Sequence, residues 1–467
     1  MSDSREREER WYGRRPMLSF ALAMLLTQSP DAGVAAEPEP EPFVHLSAGA
    51  EGELGVLPSG WAENGADVMF GFRPMVGMRV ADMFAIQVGP LIRLRVIDTP
   101  PLDRSNDLGG VVRGQDWDKA GDFGELLQSL RIGADTSVFQ LRAGPIQKKT
   151  LGLGHLLFRY SNRLNADARP AAATATLAVE FLRFELFASD IFSGRLFAGE
   201  VSWDIARSFS SNAATHGRYL LSLSLGHDFG VGTDAAVRAP DFCSGGDCQF
   251  FAPPPGPPAP STLVHLDASA VLVRSQSLSL MVLGGMGARA NQARDLGFLA
   301  GLAMDVRVPD VELSLRAEGR KQAGGFRHGY FGPQYELARF SGIGLGFPAL
   351  ADEQLPDAFS VFGELRFRLL QSITLDGAVE AFTFGRTDFD ATLTVELLQK
   401  WLVAEARVGA VGLGQQPRWL VIGGLRWRLF KSFYVLGNAG TVFFPQVDGR
   451  LVRGVTITGG VGVDIER

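Results

Sequence analysis

Residues 425–438 read LRWRLFKSFYVLGN, and the reading of this stretch decides the fold. Leu425, Trp427 and Leu429 alternate with Arg426 and Arg428, and after Phe430 and Lys431 the alternation resumes on Phe433 and Val435. Successive side chains of a β-strand project to opposite faces, so this pattern sorts into one apolar and one charged face. A helix would scatter the same residues around its circumference. The dry face must then touch either a protein core or lipid.

The same period of two runs along the chain from Phe43 onward. In VMFGFRPMVGMRV, Val68, Phe70, Phe72, Val76, Met78 and Val80 share one face, and Arg73 and Arg79 the other. Further on, Phe359, Val361, Leu365, Phe367 and Leu369 stand against Ser360, Glu364, Arg366 and Arg368. Phe389, Leu393, Val395 and Leu397 stand against Asp388, Asp390, Thr392, Thr394 and Glu396. About twenty such segments fit, each near the ~10 residues that a tilted strand needs to cross a bilayer. Their connections alternate in length. Long ones fall at 57–66, 98–122, 148–170, 232–261 and 322–357, and very short ones at 80–82, 135–136, 182–183, 275–276, 309–310, 371–372, 399–400 and 431–432. The connection 207–217 breaks the rule. Both ends of the segment series land on the short-turn side, which requires an even strand number. A soluble sandwich has no reason to keep long and short connections in step, and the recurring 40–50-residue motif of a propeller is not seen.

Composition narrows the class. Apolar residues make up 46% and charged residues 21% of 467, with 56 glycines, 33 phenylalanines and 6 tyrosines. This suits neither a disordered chain nor a helical membrane protein. A net charge of −6 argues against a nucleic-acid partner. Arg14 and Arg15 precede the apolar run Met17–Leu26, and Val34, Ala35 and Ala36 precede EPEPEP. That order predicts a secretory signal over 1–36 and an acidic proline linker over 37–42. The run is too short for a transmembrane helix. The only cysteines, Cys243 and Cys248, suit a loop disulfide in an exported chain better than a metal site.

On these patterns residues 43–467 resemble the outer-membrane β-barrels of Gram-negative bacteria, porins in particular. The resemblance implies a closed up-and-down antiparallel transmembrane β-barrel of about 20 strands (range 18–22), with Leu425, Trp427 and Leu429 facing lipid and Arg426 and Arg428 facing a wet interior. Trp61, Trp401, Trp419, Phe430, Phe433, Tyr434, Phe443 and Phe444 then form interfacial girdles. Many barrels of this group end on an aromatic residue. This chain ends on Asp464, Ile465, Glu466 and Arg467, although Val461, Val463 and Ile465 keep the alternation. The partners implied are the bilayer and small hydrophilic solutes crossing by passive diffusion, without a cofactor; a homo-oligomer is compatible.

In porins the loop between the fifth and sixth strands folds inward and narrows the channel. Here that position holds 148–170, which offers Lys148, Lys149, His155, Arg159, Tyr160, Asn162, Arg163, Asp167 and Arg169 together with apolar Leu151, Leu153, Leu156, Leu157 and Phe158. The alternative is an outer lid. Inward-facing charges fall into a basic sector (Arg73, Arg79, Arg93, Arg95, Arg131, Arg142), a mixed strand (Glu364, Arg366, Arg368) and an acidic sector (Asp376, Glu380, Asp388, Asp390, Glu396, Glu405). Opposed walls of this kind set a transverse field across a pore; mutual salt-bridging that fills the barrel is the competing reading. Asp103, Asp107, Asp116, Asp118 and Asp122 lack EF-hand spacing and read as a solvated loop. The run FFAPPPGPPAP (250–260) reads as a stiff spacer. No enzyme is expected: the six histidines form no H-x-x-x-H or H-E-x-x-H motif, and His227 and Asp228 point to opposite faces. A non-conducting barrel whose long loops bind a surface partner, and a hydrolase sited at the rim, remain as alternatives.

Overall fold

The structure is a computed structural model. It describes residues 44–58, 66–97, 111–113, 116–117, 120–164, 169–229, 260–290, 294–338, 353, 355–415, 417–445 and 451–466. The expected signal and linker, Trp61, Asp103, Asp107, Asp118, Asp167, Cys243, Cys248 and nearly all of the proline run lie outside these residues.

The described strands form one antiparallel sheet that closes on itself. In chain order they are β1 (Val44–Pro58), β2 (Ala66–Val80), β3 (Phe84–Val88), β4 (Ile92–Ile97), β5 (Leu127–Ile132), β6 (Phe139–Gly144), β7 (Ala172–Val179), β8 (Leu182–Ala188), β9 (Leu196–Asp204) and β10 (Tyr219–Asp228). There follow β11 (Ser261–Arg274), β12 (Leu278–Arg289), β13 (Leu296–Val308), β14 (Val311–Gly324), β15 (Leu355–Leu369), β16 (Ile373–Phe382), β17 (Thr387–Leu397), β18 (Leu402–Leu413), β19 (Arg418–Arg428), β20 (Phe433–Pro445) and β21 (Leu451–Glu466). Apart from β3 and β4, each pairs with its neighbours in sequence, and β1 pairs with β21 from Ser47↔Glu466 to Val56↔Ile457, which closes the sheet. β3 and β4 lie end to end against β2, with Val80↔Phe84 and Phe72↔Ile92 in register. They are two halves of one stave, parted at Gly89–Pro90, where the proline has no N–H to donate to the ladder. Twenty-one segments therefore make a barrel of twenty staves.

The outer face answers the opening question. On β19, Val421, Leu425 and Trp427 point outward and are 44%, 45% and 48% exposed. Phe70, Phe72 and Val76 on β2, Leu223 and Leu225 on β10, Phe359 and Val361 on β15, and Ile457 and Val461 on β21 are exposed in the same way. An apolar belt around an entire barrel exceeds what a soluble monomer leaves to water. Lipid is the solvent that matches it, since every ladder hydrogen bond is already made within the sheet. Leu429 lies beyond the end of β19, in the turn, where its N–H donates to the Phe433 carbonyl (2.9 Å).

Two details differ from the sequence reading. The turn between β7 and β8 falls on Glu180 and Phe181, not on 182–183, because Val179 pairs with Leu182; Glu180 takes a left-handed φ of 46°. Tyr434 is not a girdle residue. It points inward, 1% exposed, and its hydroxyl donates to Glu51 Oε1 at 2.6 Å. The period of two dictates this, since Tyr434 follows outward-facing Phe433. The exceptional connection 207–217 holds a helical turn (Ile205–Phe209). Asp204 caps it by accepting from the Arg207 N–H (3.1 Å) and also ties back Gly217 N–H (2.6 Å).

Candidate functional site

Among the described residues, two chain segments build an apolar core in the barrel interior. The first, 146–164, folds as a small hairpin. Lys149 and Tyr160 exchange backbone hydrogen bonds (2.9 and 2.8 Å), Leu151 N–H donates to the Leu157 carbonyl (3.1 Å), and Thr150 Oγ1 accepts from Arg159 N–H (3.0 Å). Its tip turns at Gly152 (φ +48°), where any side chain would overlap the Glu200 carboxylate of β9. Asn162 anchors its base, accepting from Ile146 N–H (2.9 Å) and donating to the Pro170 carbonyl (2.9 Å).

The second segment, 326–338, belongs to the long connection after β14. It pairs with the first through Gly329 N–H to His155 O (2.7 Å), Phe331 N–H to Leu156 O (3.1 Å) and Phe158 N–H to Phe331 O (3.1 Å). Together they build a dry core inside the barrel. Leu151, Leu156, Leu157, Tyr160, Phe326, Tyr330, Phe331 and Tyr335 pack with wall residues Phe187, Leu196 and Leu263, all nearly or fully buried. Gly226 on β10 admits the Phe331 ring, which a Cβ there would overlap. Removing this much apolar surface from water is what holds a charged loop inside the barrel.

The charges singled out in the sequence are partnered locally. Arg73 binds Glu51 (3.2 Å) and Glu125 (2.7 Å), Arg93 binds Asp116 (2.9 Å), and Arg95 binds Asp67 (3.3 Å). Arg131 donates to the Asp82 carbonyl (3.2 Å) and Arg142 pairs with Asp135 (2.6 Å); both lie at the short-turn end, with Arg79 exposed nearby. Lys148 approaches Asp376 (3.8 Å), Arg159 approaches Asp390 (3.6 Å), and Arg163 meets Glu125. Glu364 faces Arg316 (3.7 Å), Arg366 holds Asp376 (2.6 Å), and Arg368 holds Glu312 (3.2 Å). Glu380 pairs with Arg320 (3.0 Å), Asp388 with Arg386 (2.8 Å), Asp390 also with Arg407 (2.9 Å), and Glu396 with Lys400 (3.4 Å). Pairing within each sector cancels much of the field that opposed walls would set up. Asp116, expected in a solvated loop, is buried between Arg93 and Arg113. Burial pushes the Lys148 ammonium below its ordinary value, despite Glu405 and Asp376 beside it.

The in-folded segments lean against the wall from β8 to β19, where Leu164 and Leu337 pack on Leu420. Between them and β1, β2 and β18–β21 lies a cavity of about 580 Å³, lined by the charged or polar Glu51, Arg73, Arg163, Glu405, Arg426 and Tyr434 and by apolar side chains such as Leu57, Met69 and Leu436. The Arg426 guanidinium stacks 3.8 Å from the Tyr434 ring centroid and donates to Asp464 (3.0 Å). The sequence reading missed Glu125, buried under Arg73, Arg163 and Arg169, and it missed the whole second segment. The aromatic run FRHGYFGPQY (326–335) inside a long connection was a visible cue for the latter. His227 faces outward against Thr262 (2.7 Å) while Asp228 faces inward to Tyr335, so the two do not form a catalytic pair.

Closure of the ladder and the apolar belt define the class: this is a transmembrane β-barrel of the outer-membrane type. No protein-family model and no curated protein matches the chain. Among solved structures it is similar to the outer membrane protein opdK from Pseudomonas aeruginosa, at 10% identity over 91% of this chain and 99% of that one, TM-score 0.35. It is also similar to Pseudomonas aeruginosa OccK8 (OprE), at 10% identity over 91% and 98%, TM-score 0.35, and to a porin, at 8% identity over 90% and 100%, TM-score 0.33. At such identities and TM-scores the class rests on strand pairing and the outer face alone.

Proposed function

We propose that this barrel is a porin-like channel of the Gram-negative outer membrane that passes small hydrophilic solutes by diffusion. The path runs off-centre, through the charge-bearing cavity beside the two in-folded segments, and 146–164 narrows it. The carrying observation is that cavity of about 580 Å³, bounded on one side by staves with alternating inward polar residues and on the other by Arg163 of the loop. Barrels of about 16–18 strands leave an aqueous channel and those of about 22 are plugged; twenty staves half-filled by loops fall between. Lys148, Arg159 and Arg163 position the loop through Asp376, Asp390 and Glu125. No step of covalent chemistry is required.

The test is single-channel recording in planar bilayers. Stable conductance steps are expected, and replacing 150–160 by a short Gly-Ser linker should raise the unitary conductance severalfold. A purified, folded barrel that carries no ion current defeats the channel reading. Steps of unchanged size in the linker variant defeat the narrowing role of the loop but leave the channel.

A further inference from the structure

Three histidines from separate parts of the chain meet inside the barrel. His155 comes from the tip of the first in-folded segment, His265 from β11 and His328 from the second segment. Asp267 stands two residues after His265, hence on the same inner face. His155 is 1%, His265 0%, Asp267 3% and His328 3% exposed. His155 Nδ1 meets Asp267 Oδ1. His265 Nδ1 lies 3.1 Å from Asp267 Oδ2, poorly aligned for a ring N–H donor. Two imidazoles and a carboxylate thus converge, with one ligand atom of each within 4.8 Å of the others.

The far side of each ring is held as well. His155 Nε2 lies 2.9 Å from Glu318 Oε1, and His265 Nε2 lies 3.0 Å from His328 Nδ1. Metal-ligating histidines characteristically donate their second N–H to a carboxylate or another acceptor, which fixes the tautomer that leaves the first nitrogen free to ligate. In the tautomer that donates from Nε2, the Nδ1 lone pair of His265 faces the carboxylate of Asp267, and a cation held by both satisfies these two buried acceptors. The adjacent strand makes room. Gly287 and Gly285 of β12 pair with His265 and Asp267, and a Cβ at Gly285 would lie 2.6 Å from Asp267 Oδ1 and 2.8 Å from His265 Cε1. The charge balance is mixed. Arg316 and Arg320 both donate to Glu318, and Arg316 also reaches His155, whereas Asp267 and nearby Glu200 favour a cation.

We propose that His155, His265 and Asp267 bind a divalent transition-metal ion, zinc foremost, with Glu318 and His328 orienting the two imidazoles. Two nitrogens and one oxygen suit zinc and its copper and nickel neighbours; calcium and magnesium prefer oxygen throughout. The ion staples the first in-folded segment to β11. The site stands on side-chain geometry and does not depend on whether the barrel conducts.

The test uses the full-length barrel in detergent, stripped with chelator and dialysed against zinc chloride, with bound zinc counted by mass spectrometry. One zinc per chain is expected. His265→Ala and Asp267→Asn should abolish it, Glu318→Gln should weaken it about 10- to 100-fold, and His216→Ala, at the short-turn end, should leave it unchanged. Heat-modifiable gel mobility confirms folding of each variant. Should a ligand variant not fold, the wild-type barrel is loaded with copper(II), and its electron paramagnetic resonance must show coupling to two imidazole nitrogens that zinc abolishes. A stripped, folded wild type that retains no zinc, zinc retention indifferent to His265 and Asp267, or a copper spectrum without imidazole coupling overturns the proposal.

Discussion

Arginine placed at two outward positions on β19 separates lipid from protein as the partner of the outer face. A tilted strand advances roughly 2.5 Å per residue along the barrel axis, from a rise of about 3.3 Å and a tilt of about 40°. Trp427 lies next to the short turn, at the girdle. Val421 is then roughly 15 Å deeper, close to the midplane of an apolar band about 25 Å tall. Both side chains are exposed to a similar extent, at 44% and 48%, so a soluble protein would charge both substitutions equally little. In lipid, Val421→Arg should cost about 2–4 kcal/mol and Trp427→Arg about 0–1 kcal/mol for the charge itself. Reversible denaturant unfolding in phospholipid vesicles, followed by tryptophan fluorescence with the remaining six tryptophans as reporters for the second variant, gives both values. Equal, small costs at the two positions would refute the lipid-facing assignment, because only a depth-dependent solvent produces the gradient.

Three other outcomes follow from the same contacts. Leu157→Ala empties a fully buried position of the inner core and should cost about 2–5 kcal/mol locally, read as faster hydrogen exchange over 149–160 with little change in the wall strands. Tyr434→Phe removes one hydrogen bond to Glu51, which keeps Arg73 as a partner, so the loss in unfolding free energy should be only about 1–2 kcal/mol. Glu353 sits outside the strands. Burial pushes its carboxyl up, but Arg327 and Arg386 outweigh burial and hold it below the ordinary carboxylate value. A depressed acid stabilises the fold above its unfolded pKa and loses that contribution as pH falls through the lower folded value. Hydrogen exchange over 326–338 should therefore accelerate on acidification below the ordinary glutamate range, and Glu353→Gln should remove that dependence.

The barrel was legible because its rule is local. Alternation on β2, β15, β17 and β19 follows from the two-residue strand period, and the step between long and short connections carried the topology. Two kinds of reading failed: one that set residue type above the pattern, and those that the pattern does not encode. Tyr434 looked like a girdle aromatic by composition, though its own parity already placed it inside. The short turns use Leu370, Gln371, Leu398, Gln399 and Lys400 in left-handed conformation, where turn chemistry favours Asn and Gly, so the exact two-residue step at 180–181 had no residue signature. The meeting of His155, His265 and His328 spans more than a hundred residues and two connections. Only the His265–Asp267 spacing, two apart on one face, was available to sequence.

The interior is asymmetric for a reason that the loop compositions contain. A lone hairpin such as 146–164 cannot dry Leu151, Leu156 and Leu157 by itself against a lumen wall that alternates polar residues. It needs a second apolar surface, and 326–338 supplies one with Phe326, Tyr330 and Phe331. The wall accommodates the pair where it is least polar or has glycine: Phe187, Leu196, Leu263, Gly226 and Gly287 cluster on β8–β12. Once the segments commit to that side, Glu51, Arg73, Arg426 and Tyr434 line the space that remains. The off-centre position of the cavity is thus a consequence of how two apolar loops bury each other. A variant that lets 326–338 leave, such as Gly226→Val against the Phe331 ring, should unseat 146–164 as well, although it touches none of that segment's residues.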